Sequence, residues 1–186
     1  ILGGMGPEAT ILLMQKLLDA VPARDDADHI PLIVHQNPQV PSRIEALIEG
    51  QGADPTPVLQ TMARDLQAAG ARALAMPCNT AHHYAPAIRA ACRLPFLNML
   101  DLTAARLAET GARRIGILAS PAVRLTGVFD APFAACGLSA RYPDDDTLLL
   151  ALIRAVKSGD RDGAPALQVA ARLLLEAGCD RVLIAC

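Results

Sequence analysis

Two segments of the sequence repeat each other, and they decide the fold. Residues 63–78 read ARDLQAAGARALAMPC and residues 171–186 read ARLLLEAGCDRVLIAC. Six of these 16 aligned positions are identical, at a constant offset of 108. Each segment predicts the end of a helix, a glycine that stops it, a buried strand, and a cysteine where the strand ends. The shared glycine and the shared cysteine favour a duplicated structural unit over coincidence in a chain rich in alanine and leucine.

Outside the repeat, short apolar runs alternate with longer amphipathic ones. Strands separated by helices require parallel pairing and right-handed crossovers. The pattern therefore predicts an α/β fold of two similar α/β/α lobes with parallel sheets, related by a pseudo-twofold axis, at residues 1–100 and 101–186. Residues 94–99 lead from one lobe to the other. The predicted strands are 30–35, 73–76, 114–119 and 181–185, and the predicted helices are 57–69, 81–92, 101–110, 147–157 and 165–177.

Composition narrows the classes of function. Of the 186 residues, 52% are hydrophobic, which is ample for a buried core, and the net charge of −2 offers no basic field for nucleic acid. No apolar run approaches the roughly 20 residues of a membrane span. Five cysteines at irregular spacing do not resemble a disulfide framework, so a reduced, cytoplasmic protein is expected. Both ends read as interrupted strands, and we treat the chain as a fragment of a longer protein.

The two repeated cysteines are the leading candidates for chemistry. Each is predicted at the carboxyl end of a parallel strand, the edge where α/β sheets bind ligands. Asn79 or Thr80 is expected to cap a helix that starts near Ala81, and a helix N-terminus beside Cys78 would favour its thiolate. A buried, inert thiol is the alternative for Cys78, and the repeat is the argument that brings Cys186 forward. The remaining cysteines are assigned to packing: Cys92, Cys136 and Cys179.

Three further features carry polar or backbone groups that could bind a ligand. The glycine-rich turn at residues 3–10 leads into a helix with Pro7 in its first turn, and its amides could bind an anion. A dinucleotide fingerprint fits this turn poorly, because a third glycine is missing and Pro7 has no N–H. Arg43 follows two prolines in a stiff loop and could bind a carboxylate, unless it is an ordinary surface arginine. Lys157, near the end of a helix, could equally be a helix C-terminal charge.

The histidines near Cys78 also allow a zinc site to be considered. Cys78, His82 and His83 together with Cys186 could supply ligands. Adjacent residues on a helix point about 100° apart, however, so both histidines could not easily bind one ion. We therefore expect His82 to be a packed side chain, or one that contacts a functional residue without touching the ligand.

Four motifs together resemble a known family. GGMGP at residues 3–7, NPQVPSR at 37–43 and PCNTAH at 77–82 are similar to motifs of the aspartate/glutamate racemase family, in particular its aspartate racemase branch. LIAC at 183–186 resembles the start of that family's second cysteine motif. The resemblance implies two α/β/α lobes with a substrate cleft between them, a homodimer, an amino-acid substrate, and neither pyridoxal phosphate nor a metal.

The resemblance also implies roles for individual residues. Two would be catalytic thiols: Cys78 and Cys186. Five would line the substrate site: Asn79 and Thr80 for the α-carboxylate, Arg43 and Lys157 for the side-chain carboxylate, and Met5 at the border of the pocket. The sequence departs from the family at Ser42, where Asp is common, and at Val123, where Thr is common. It also stops at Cys186, where Thr-Glu usually follows.

These features predict cofactor-independent racemisation of an amino acid, most simply aspartate or glutamate, by proton transfer between two opposed cysteines. Two alternatives remain open at this point. A related enzyme with one working cysteine could isomerise or decarboxylate a small dicarboxylate. A two-lobed protein could also bind acidic amino acids without catalysis.

Overall fold

The computed structural model describes residues 1–159 and 164–185, with the side chains of Leu148, Lys157 and Ala164 left out. The chain divides into two compact units, Ile1–Met99 and Leu100–Cys186. The strands are β1 (Leu2–Gly3), β2 (His35–Gln36), β3 (Leu74–Ala75), β4 (Phe96–Leu97), β5 (Arg114–Leu118), β6 (Ser139–Arg141) and β7 (Arg181–Ile184). The α-helices are α1 (Pro7–Ala20), α2 (Thr56–Ala68), α3 (Ala85–Ala91), α4 (Met99–Glu109), α5 (Pro121–Thr126), α6 (Asp130–Ala135), α7 (Thr147–Lys157) and α8 (Ala164–Glu176).

The first unit contains two short parallel pairs of strands. Strand β1 pairs with β2, and β3 pairs with β4. Helix α2 supplies much of the core through one apolar face, which includes Leu59, Met62 and Leu66. These side chains pack with Leu2 of β1 and Leu74 of β3, both fully buried. Two candidate residues adjoin this core: Met5 belongs to it, and Cys78 packs against it.

The second unit is built on a three-stranded parallel sheet in the order β6-β5-β7. The central strand β5 is buried along most of its length, as expected for a strand paired on both sides. Helix α8 packs closely on it, because Gly116 has no side chain: a Cβ there would lie 2.9 Å from the Cβ of Leu174. The prediction of an α/β fold with parallel sheets is confirmed.

The repeated segments have the same geometry at their helix ends. Gly70 has φ +90° and Gly178 has φ +86°, the left-handed region that favours glycine. The residue after each glycine donates its N–H five positions back, Ala71 to the Leu66 carbonyl at 3.0 Å and Cys179 to the Leu174 carbonyl at 3.1 Å. The predicted helix, glycine stop and strand are therefore present in both copies at the constant offset.

Proline accounts for two differences from the predicted elements. The strand predicted at 30–35 is limited to His35–Gln36, and Pro31 has no N–H for a ladder. The helix predicted at 81–92 divides into a 3₁₀ turn, Thr80–Tyr84, and helix α3. Pro86 cannot donate to the carbonyl four residues back, which an unbroken α-helix would require.

Other elements were missing from the prediction. The linker at 94–99 contains strand β4, which pairs with β3. Helices α5 and α6 and strand β6 occupy residues 121–141, where the sequence pattern predicts no helix or strand. A π-helical turn lies at Glu45–Glu49. No helix in the described ranges has the length and apolarity needed to cross a membrane.

Candidate active site

Cys78 is held by its backbone on both sides. The chain leaves β3 through Met76 and Pro77, and the Cys78 N–H donates to the Met76 carbonyl at 3.0 Å. The Cys78 carbonyl oxygen lies 2.7 Å from Nδ1 of His82. The side chain is half-buried and packs against the core of the first unit. The thiol therefore occupies a defined position just beyond the carboxyl end of a parallel strand.

The helix start expected beside Cys78 differs from the prediction. Asn79 has helical backbone angles, φ −60° and ψ −53°, and its side chain makes no capping hydrogen bond. The turn that follows is a five-residue 3₁₀ turn, with Thr80 buried as its first residue. No α-helix begins beside Cys78, and the predicted stabilisation of its thiolate by an α-helix N-terminus is therefore wrong.

His82 is a packed side chain, as expected, and is only 5% exposed. Its Nδ1 faces the Cys78 carbonyl, and its Nε2 lies 3.3 Å from the Met99 amide nitrogen, which donates to it. The ring also meets Phe96 edge to face, with 5.5 Å between centroids. Both ring nitrogens of His82 therefore have hydrogen-bond partners, and a zinc site that used His82 would have to break one of these bonds.

The glycine-rich turn after β1 is fixed by close packing. Gly4 has φ +95°, and a Cβ there would collide with the Asn37 carbonyl carbon. The Gly4 N–H donates to Oγ1 of Thr10 at 2.9 Å, so this amide is already used within the turn. Pro7 begins α1, as predicted. Met5 is buried in the core of the first unit rather than exposed.

Arg43 is half-buried and folded onto its own loop. Its Nη1 donates to the carbonyls of Val40 at 3.2 Å and Pro41 at 2.9 Å. Sequence reasoning missed the buried Tyr84 nearby. Burial raises the pKa of Tyr84, the charge of Asp54 raises it further, and the charge of Arg43 partly opposes both. The sequence did contain a sign of Tyr84: the chain has only two tyrosines, and this one follows the PCNTAH motif closely.

The remaining candidate positions belong to the second unit. The side chain of Val123, where the family commonly has Thr, is fully buried within α5. Lys157 is the last residue of α7, and its side chain lies outside the described part of the structure. Cys186 also lies outside the described residues. Among the residues that are described, no group of three or more His, Cys, Asp or Glu side chains could hold a metal ion.

Solved structures of related proteins match the whole chain. The Picrophilus torridus aspartate racemase is 28% identical, with a TM-score of 0.83, and the match covers 100% of this chain and 78% of that one. A putative Asp/Glu racemase from Yersinia pestis is 23% identical, with a TM-score of 0.79 and 83% of its chain covered. An aspartate racemase homologue from Pyrococcus horikoshii OT3 is 18% identical, with a TM-score of 0.73 and 83% covered. The last two likenesses show the fold alone.

Together with the fold, the match to the Asp/Glu/Hydantoin racemase family model places the protein in the class of amino-acid racemases. The family model for Asp/Glu/Hydantoin racemase matches residues 2–186, and the chain belongs to this family. The resemblance stated from the motifs is thereby confirmed.

Proposed function

We propose that the protein racemises aspartate or glutamate by proton transfer between the thiols of Cys78 and Cys186. One observation carries the proposal: the helix, glycine and strand of residues 63–78 recur at 171–186, and a cysteine ends each sequence copy. The two helices also end with the same pattern of backbone hydrogen bonds, at Gly70 and at Gly178. A two-base racemase needs two equivalent acid–base groups, and a duplicated unit supplies them.

The proposed reaction needs one thiolate and one thiol at the same time. The thiolate removes the α-proton: an S–H bond forms as the C–H bond breaks, and the electron pair moves into an enolate-like carboxylate. The opposite thiol then gives its proton to the other face of the α-carbon and becomes the thiolate. The α-proton is a very weak acid, so groups that stabilise the developing negative charge must be preorganised.

We assign that stabilisation to Asn79 and Thr80. They are the next two residues after Cys78, and the Asn79 side chain makes no capping hydrogen bond at the turn. Their proposed role is to bind the α-carboxylate, whose charge grows as the proton leaves. Met5, in the neighbouring turn, is proposed to form an apolar border of the pocket.

The choice of an acidic substrate rests on Arg43 and Lys157. The two hydrogen bonds of Arg43 to its own loop use Nη1. Nη2 and Nε can therefore bind a carboxylate in a bidentate manner. Because those bonds hold the guanidinium in place, less conformational entropy is lost when a substrate binds. Lys157 is proposed to add a second positive charge. The name of the Picrophilus torridus relative favours aspartate.

Proton exchange in heavy water tests the reaction directly. The protein is incubated with L-aspartate or L-glutamate, and the α-proton signal and the optical rotation are followed together. Loss of both supports racemisation and identifies the substrate. Exchange without loss of rotation would mean one working base and would count against Cys186. No exchange with any amino acid would overturn the proposal in favour of an isomerase, a decarboxylase or a binding protein.

We further infer a homodimer, as the family resemblance implies, and a cytoplasmic location, as the cysteine pattern indicates. Light scattering on the purified protein tests the dimer: a mass of one chain at micromolar concentration would contradict it. Cell fractionation tests the location.

A further inference from the structure

His82 bonds to the Cys78 segment through both its backbone and its ring. Its N–H donates to the Asn79 carbonyl at 3.0 Å, and ring Nδ1 lies 2.7 Å from the Cys78 carbonyl oxygen. The Met99 N–H donates to Nε2 at 3.3 Å. Since an amide N–H can only donate, Nε2 must present its lone pair, and the ring hydrogen of the neutral imidazole is then on Nδ1. The hydrogen-bond partners thus assign the tautomer.

The bond to Cys78 fixes more than one atom. The Cys78 carbonyl and the Asn79 N–H belong to the same planar peptide group. Holding the oxygen therefore also sets the direction of the Asn79 N–H and restrains the backbone from which the thiol projects. With the Cys78 N–H bound to the Met76 carbonyl, the segment is restrained on both sides of the thiol.

We propose that His82 is a positioning residue for the racemisation, acting through the Cys78–Asn79 peptide without touching the substrate. This inference rests on the proposed function. The ring is itself held from the far side by the Met99 amide and along its edge by Phe96, so it is a rigid support. A misplacement of about 1 Å can reduce a rate about 100-fold, so rigidity at this peptide bears directly on turnover.

Two substitutions of His82 each keep one of the two ring hydrogen bonds and remove the other. Asparagine places an N–H about as far from Cα as Nδ1, and so His82→Asn keeps the bond to the Cys78 carbonyl. Glutamine places its oxygen near the position of Nε2, and so His82→Gln keeps only the bond from Met99. His83→Gln is the matched control, because His83 is the adjacent, exposed histidine.

The three variants should differ in kcat. We expect kcat to fall about 10- to 100-fold in His82→Gln, with a smaller change in KM. His82→Asn should stay within about 5-fold of the natural enzyme, the loss typical of one weakened hydrogen bond. The control His83→Gln should have the same kcat as the natural enzyme. Equal losses of kcat in His82→Asn and His82→Gln, or no loss in either, would overturn the proposal.

A second readout does not depend on racemisation. The rate at which iodoacetamide alkylates Cys78, measured by mass spectrometry of the peptide that carries it, should rise several-fold in His82→Gln and not in His82→Asn. If the natural enzyme racemises no amino acid but this difference is seen, the proposed function fails while the support of Cys78 by His82 stands. Equal alkylation rates in both variants overturn the support itself.

Discussion

At the scale of single residues, backbone packing sets the shape of the turn after β1. Gly4 has a positive φ of +95°, and a Cβ added there would collide with the backbone of Asn37. The atoms that a Cβ would meet belong to the main chain, which cannot move aside as a flexible side chain can. This close approach joins the ends of β1 and β2, from which the glycine-rich turn and the Arg43 loop begin.

Gly4→Ala should therefore destabilise the first unit strongly. The left-handed conformation alone costs an alanine about 1–2 kcal/mol, and the collision raises the expected loss to about 3 kcal/mol or more. Urea unfolding followed by circular dichroism measures it. Gly137→Ala is the control: Gly137 has φ +65° and nothing within 4 Å of the added Cβ, so only the conformational cost remains. Equal losses in the two variants would contradict the packing argument.

The contacts of the candidate site show what a motif can and cannot reveal. The PCNTAH motif drew attention to Cys78, Asn79 and His82 from sequence alone. The bond from Met99 to His82 spans 17 residues and depends on how the chain returns past β4, which no local pattern encodes. The position of Met5 in the core is likewise a tertiary property.

At the scale of helices and strands, strong periodicity predicted the right elements. Helices α2, α4, α7 and α8 begin and end within two residues of their predicted bounds. Failures came where a short element carries too few residues to show a period. Helices α5 and α6 have six residues each, and Gly127, at φ +60°, ends the first of them. The buried rings of Phe129 and Phe133 pack on each other, with 5.1 Å between their centroids.

One junction between strands depends on a carboxylate. Asp180 lies between the glycine stop of α8 and the start of β7, and its Oδ2 accepts from the backbone N–H groups of Arg113 at 2.7 Å and Arg114 at 2.8 Å. These two bonds hold β7 to the start of β5. They lower the pKa of Asp180 from its ordinary value of 3.8, with a smaller contribution from the charges of Arg114 and Arg181.

Stability should depend on pH through Asp180. Because its pKa is lowered on folding, the carboxylate stabilises the folded state above pH 3.8, and this contribution is lost as the pH falls through the lowered value. The Tm of Asp180→Asn should lie below that of the natural protein at pH 7, and the gap should narrow at acidic pH. Calorimetry across this range measures the gap. Asp144→Asn, at an exposed carboxylate of the same unit, should show a smaller gap; a constant gap for Asp180→Asn would contradict the assignment.

At the scale of the whole molecule, each unit has its own parallel strands and its own core. The repeated helix, glycine and strand occur once in each unit. A duplicated unit of this kind gives a chain two positions of the same local geometry. The proposed reaction uses that property, because removal and return of a proton on opposite faces of one carbon are the same step run in opposite directions.

Replacing one cysteine at a time should therefore separate the two half-reactions. Cys78→Ala and Cys186→Ala should both lose racemisation, because each lacks the base for one face of the α-carbon. Each variant retains one thiol, and so each should exchange the α-proton of one enantiomer only, with opposite enantiomers in the two variants. Proton NMR in heavy water, starting separately from the L- and the D-amino acid, measures this.

The control for that pair is Cys92→Ala, a half-buried cysteine at the end of α3 that should leave both activities unchanged. Exchange of the same enantiomer by both single variants would mean that the two thiols do not act on opposite faces. Racemisation at the natural rate by either variant would remove that cysteine from the mechanism. The opposite selectivity is the more demanding result, since general damage to the fold would slow exchange of both enantiomers alike, whereas two bases on opposite faces must divide them.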